Sequence, residues 1–165
     1  MPAKTLKLLY FSFIYPTLLY GIEIYANTYL SYLHDLMVLT NRILRILQHK
    51  PYNSDTNDLY LTYNTLPIDK LFQLQILSHA HTLIFNPTIL PPSFQHTVLN
   101  HNIHNHSTRS RFDFHRFPST SLYARKISSN LCSRMWNALP SDIKTISNPK
   151  LFRYTAREFL STGTL

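Results

Sequence analysis

From Lys4 to Leu30 the chain reads KTLKLLYFSFIYPTLLYGIEIYANTYL, its most apolar stretch. Wound as a helix, it puts Leu6, Leu9, Phe13, Pro16, Tyr20 and Ile24 on one stripe, but Leu8, Tyr10, Phe11, Ile14 and Leu18 cover much of the rest. A helix apolar nearly all round requires burial on every side, more than a short chain readily supplies. From Ser31 to Lys50 the helical period is cleaner. Leu33, Leu36, Met37, Ile43, Leu44 and Leu47 form one seam, with Ser31 or Asp35 near the start. Asn41, Arg42, Arg45, Gln48 and His49 face away from that seam, and Lys50 ends the helix before Pro51.

A turn at PYNSDTND precedes a short predicted helix from Leu59 to Leu66, and LPIDKLFQLQILSHAHTLIFNP predicts a longer one. Asp69 stands near its start, with Leu71, Leu74, Leu77, Ala80, Leu83 and Ile84 inward. His79 and His81, two apart, point to different sides of such a helix and cannot share a metal. From Pro87 to Ser121 the period is lost in Pro, Asn, His and Ser, which reads as loop. SLYARKISSNLCSRMW reads as β-like or mixed, and the end is helical from about Asn148. The expected fold is mainly α: a helical bundle over residues 1–86, a His/Pro/Asn-rich loop over 87–121 with little β structure, and a C-terminal helix within 122–165.

Charge adds a partner to this picture. With 165 residues, 44% of them apolar, there is material for a real core. Sixteen Lys and Arg against eight Asp and Glu give a formal charge of +8, and nine histidines can add to it. A polyanion is the expected partner, nucleic acid before an anionic membrane surface. Arg42, Arg45, His49 and Lys50 form either a basic face for phosphates or a solvated face with cations placed well for the helix dipole. The lone cysteine, Cys132, cannot form an internal disulfide, which fits the cytoplasm or nucleus.

Candidate chemistry is mostly excluded. Phosphate-cradling loops need glycines, and the chain has two, Gly21 and Gly163. The eight carboxylates are scattered, with only Asp55 and Asp58 close in sequence, so no cluster suggests two-metal phosphoryl transfer. Residues 4–30 offer an alternative, a small basic membrane-associated protein, although Pro16 and Glu23 interrupt the run and no small-residue cleavage site succeeds it. His96, His101, His104, His106 and His115 with Cys132 raise a zinc hypothesis, but their spacing matches no paired-ligand pattern, and no metal or other cofactor is expected. The same region holds IHNHSTRSR, where Arg109 and Arg111 stand among hydroxyls and imidazoles suited to phosphate contacts. Trp136, the only tryptophan, precedes Asn137, Leu139 and Pro140. An indole with one N–H suits a seam where loop meets helix, Asn137 can bond backbone, Leu139 turns inward, Pro140 ends the element, and Ser141 can cap the SDIK turn.

Four landmarks in order give the chain a likeness. LKLLYFSFIYPTLLYGIEIYANT, LMVLTNRILRILQ, IHNHSTRS, and MWNALPSDIK with LFRYTAREFL together resemble the C-terminal part of reverse transcriptases of non-LTR, LINE-like or jockey-type retrotransposons, over roughly Lys4 to Leu160. Pro16, Tyr20 and Gly21 stand at matching places in the first landmark. Tyr25 and Ala26 depart from the family's usual Trp-Gly, and Cys132 and Ser133 from a frequent Gly-Pro, as in a drifted copy. The resemblance implies a thumb and following region that hold RNA and DNA template-primer. The catalytic palm, its Tyr-x-Asp-Asp loop and its magnesium would lie upstream; this chain contains no Asp-Asp. On that expectation the chain is a fragment without catalysis or a small-molecule substrate, and one side of its first helix would pack on the palm.

Overall fold

The computed structural model describes residues 2–89, 97–103, 110–116, 118, 121, 124 and 126–163. The protein is mainly α-helical, and among the described residues no strand or sheet forms; an isolated antiparallel bridge joins Leu99 and Phe114. Among the described residues the α-helices are α1 (Ala3–Leu9), α2 (Tyr15–Leu19), α3 (Ile22–Tyr25), α4 (Leu30–Leu47), α5 (Thr56–Tyr63), α6 (Ile68–Phe85), α7 (Asn100–Ile103), α8 (Ser128–Asn137), α9 (Ser141–Lys144) and α10 (Pro149–Thr162). Contacts divide the chain into two compact units, Met1–Phe72 and Gln73–Leu165, with the division inside α6.

In the first unit, α1 passes into a π-helical turn, Tyr10–Ile14, before α2. Pro16 is the cause. It has no N–H to donate and its ring crowds the carbonyl four residues back, so the turn widens and the Tyr15 N–H reaches the Tyr10 carbonyl instead. The chain then breaks at Gly21, whose φ of 65° is left-handed. The stripe expected from the sequence is not the buried side: Phe13, Tyr20 and Ile24 are exposed, whereas Tyr10, Leu18, Ile22 and Ala26 are buried. A segment apolar all round has no preferred face, and the π turn and Gly21 reset the direction of the chain beyond them.

The seam of α4 is as expected, with Leu33 and Leu44 buried and Leu36, Met37, Ile43 and Leu47 half-buried. Thr40 joins it, its hydroxyl satisfied by the Leu36 carbonyl at 2.8 Å. α4 stops at Leu47: His49 turns left-handed, the His49 N–H bonds Ile46 and the Lys50 N–H bonds Arg45. Asn64 ends α5 in the same way, with Asn64 N–H on Leu61 and Thr65 N–H on Tyr60. α5 starts three residues earlier than Leu59 because Asp55 caps it, accepting from the Asn57 N–H at 3.3 Å. Tyr10, Leu44, Leu59, Tyr60 and Tyr63 form this unit's core, with the Tyr10 and Tyr63 rings edge to face at 5.5 Å.

In the second unit the segment before Trp136 is helical, not β-like. Leu131, Cys132, Met135 and Trp136 are buried at i, i+1, i+4, i+5, one face of α8. α10 begins where the sequence suggested, with Asn148 accepting from Lys150 and Leu151 N–H groups, and buries Phe152, Ala156 and Leu160. Ser141 is not a cap: it is the first residue of α9, which comes after an extended Pro140. No helix among the described residues is long and apolar enough to cross a membrane.

Candidate nucleic-acid interface

The basic face of α4 is only partly free. Arg42 is exposed. Arg45, one turn on, is half-buried: its guanidinium donates to the Ser54 carbonyl at 3.2 Å and lies 5.6 Å from the centre of the Tyr52 ring. The turn after Pro51 brings these partners within reach, since the Ser54 N–H and hydroxyl both bond the Pro51 carbonyl. Gln48 donates to the Leu59 carbonyl at 2.8 Å, and Asn41 accepts from the Tyr60 hydroxyl at 2.6 Å. Three of the five residues expected to face solvent are therefore engaged within the unit. Arg42, His49 and Lys50 present exposed cationic or titratable groups, and Arg45 does not share a free face with Arg42.

Of the residues expected to be structural in the first landmark, Gly21 occupies the left-handed position between α2 and α3, Pro16 is exposed but shapes the π turn, and Tyr20 is 87% exposed. Tyr25 donates its hydroxyl to the Leu18 carbonyl and so ties α3 to α2.

Arg109, with His96, His104 and His106, lies outside the described residues. Arg111 is exposed, its guanidinium 4.7 Å from the centre of the Phe112 ring, and its carbonyl accepts from the His101 N–H. Among the described residues no group of three or more His, Cys, Asp or Glu is placed to hold a metal ion. Cys132 is buried, and that burial pushes its thiol up to about 12, so the sulfur is a packed thiol at neutral pH, not a thiolate.

In the second unit the motif WNALPSDIK builds a polar arrangement around residues 112–114. It holds three consecutive residues by three different means. The Trp136 indole N–H donates to the Phe112 carbonyl at 3.3 Å. The Lys144 ammonium meets the Asp113 carboxylate at 2.9 Å and also the Asn137 carbonyl at 3.0 Å. The Asn137 side-chain oxygen accepts from the Phe114 N–H at 2.9 Å while its NH2 donates to the Phe114 carbonyl at 2.8 Å. One amide thus satisfies both backbone groups of a buried residue. Leu139 is buried after it, and Pro140 breaks the helix. Trp136 itself is 1% exposed, stacked on Phe152 at 5.7 Å and edge-on to Phe114 at 6.0 Å. Trp136 and Asn137 were legible in the sequence. Asp113 and Lys144 were not, because a pair 31 residues apart leaves no local signal.

His81 extends this aromatic series. It is buried, stacked against Phe152 at 4.3 Å, and bonds the Ile146 carbonyl through Nε2 at 2.8 Å. A carbonyl can only accept, so Nε2 carries the hydrogen. Burial lowers the His81 pKa below its ordinary 6.5, with the bond to Ile146 opposing. Phe112, Asp113, Trp136 and Lys144 also line a cavity of about 400 Å³, together with Ile84, Phe85, Leu99, Ser141 and Thr145.

The chain matches no protein-family model, no curated protein and no solved structure.

Proposed function

We propose that the chain is the non-catalytic, nucleic-acid-binding part of a non-LTR-type RNA-directed DNA polymerase, corresponding to the thumb and the region after the catalytic palm, working in the cytoplasm or nucleus. The observation that carries it is the set of exposed groups on and just past α4, Arg42, His49 and Lys50, in a chain of formal charge +8. Arginine pairs with phosphate oxygens in two-point contacts that carry no base information, as a part that slides along template and primer requires. The way Trp136, Asn137, Leu139 and Lys144 gather around residues 112–114 supports treating MWNALPSDIK as one structural motif, as the resemblance implies. The exposed Leu8, Phe13 and Ile24 near the N-terminus support an apolar contact with an upstream palm.

The test is binding to an RNA·DNA hybrid across a salt series. Arg42→Ala with Lys50→Ala is expected to weaken binding equally on all sequences and to lower the log–log salt slope by about 1 for each phosphate no longer neutralised. Arg45→Ala, whose guanidinium is already bonded to Ser54, is expected to lower stability more than the slope. An unchanged slope in the folded Arg42/Lys50 variant would remove α4 from the interface. Co-flotation of the chain with vesicles, in place of hybrid binding, would favour the membrane alternative.

A further inference from the structure

We infer that Phe112, with Arg111 lying over its ring, is a base-stacking platform for single-stranded nucleic acid, in the lining of the cavity it shares with Ile84, Phe85 and Leu99. The inference rests on the proposed nucleic-acid function and names a place and a chemistry for it in the second unit.

Phe112 is 57% exposed even with the Arg111 guanidinium 4.7 Å from the centre of its ring, so the residue is open to solvent. An exposed phenylalanine in a loop is ordinary when its backbone is loosely held. Here the backbone is fixed at its own carbonyl by Trp136, and the next two residues are fixed by Lys144 and Asn137. The ring is thus presented on an ordered support, which lowers the ordering cost of anything that stacks on it. Every base has a π face, so an aromatic platform accepts a strand without regard to sequence, and a neighbouring arginine adds stacking and phosphate contact together. The cavity of about 400 Å³ lies within the range that takes small planar ligands. Its apolar lining suits the body of a base, and the Thr145 hydroxyl and the Asp113 oxygen that Lys144 does not hold can accept from N–H groups on a base edge. A duplex, whose bases are already stacked on one another, offers this platform nothing.

The experiment compares two labelled strands of equal length, a pyrimidine oligonucleotide and an abasic strand with the same phosphates, binding the full chain. Wild-type protein is expected to prefer the base-bearing strand roughly tenfold. Phe112→Leu keeps an apolar side chain without a π face, and is expected to abolish the preference while leaving affinity for the abasic strand unchanged; Phe112→Tyr is expected to restore it. Trp136, the only tryptophan and a lining residue of the cavity, is expected to change its emission with the base-bearing strand alone. Equal binding of both strands by wild type, or a preference that survives in Phe112→Leu, would overturn this inference and leave general phosphate binding standing. Binding of neither strand, nor of the hybrid, would overturn both.

Discussion

Asn137 does for Phe114 what a neighbouring strand would do, meeting one N–H and one carbonyl with a single side chain. That double duty makes its chemistry testable. Asn137→Asp keeps the acceptor but sets a carboxylate oxygen against the Phe114 carbonyl, and is expected to cost about 2–3 kcal/mol in a denaturant titration, more than Asn137→Ala. Trp136→Ala, which empties a fully buried site and frees the Phe112 carbonyl, is expected to cost about 3–5 kcal/mol by the same measurement. His81 gives the fold a pH dependence. The fold holds the imidazole neutral, so on acidification the unfolded chain takes up the proton first. Stability present above the ordinary pKa of 6.5 is therefore lost as pH falls through the lowered value in the fold. His81→Phe keeps the stacking on Phe152 and removes the titration. The stability difference between wild type and this variant is expected to shift against wild type between pH 7 and pH 5, and parallel curves would show that His81 does not titrate as proposed.

Helix ends in this chain are made with few glycines. α4 and α5 both close with a left-handed residue, and in neither case is it glycine: His49 has φ of 52° and Asn64 of 53°. Asparagine tolerates that conformation because its short polar side chain bonds locally; histidine has less to gain. His49→Gly is expected to raise stability by about 0.5–1 kcal/mol, read as a higher thermal midpoint, while removing one of the exposed titratable groups near Lys50. Gly21 is the reverse case. A Cβ there would meet nothing within 4 Å, so Gly21→Ala is expected to cost about 1 kcal/mol from backbone strain alone. A much larger loss would mean that the turn between α2 and α3 carries more than its conformation. α8 forms against its own local signals. The serines and asparagine at its start suggest a break, but Leu131, Cys132, Met135 and Trp136 keep a helical period that burial makes decisive.

For the whole chain the central expectation is binding without chemistry. Primer extension on an RNA template with magnesium or manganese is expected to yield no templated incorporation, since the carboxylates are scattered and Asp113 is held by Lys144; incorporation by purified chain would end the proposal. Local properties were in the sequence: the mainly helical character, the seam of α4, the extent of α6 and the capped start of α10 all depend on period, propensity and neighbours a few residues away. Charge, the shortage of glycine and the exclusion of phosphate loops needed composition alone. Trp136 and Asn137 could be picked out by residue type, because an indole N–H and a carboxamide must find partners when buried. Which partners they found was decided only by the tertiary structure. The Phe112 and Phe114 backbone groups, Asp113 for Lys144, and the Ile146 carbonyl for His81 lie far off in sequence, and nothing local selects among so many carbonyls. The same holds for Arg45. Its place on the helix put it beside Arg42, but the turn after Pro51 supplied the Ser54 carbonyl and the Tyr52 ring, and the nearest partner took the guanidinium.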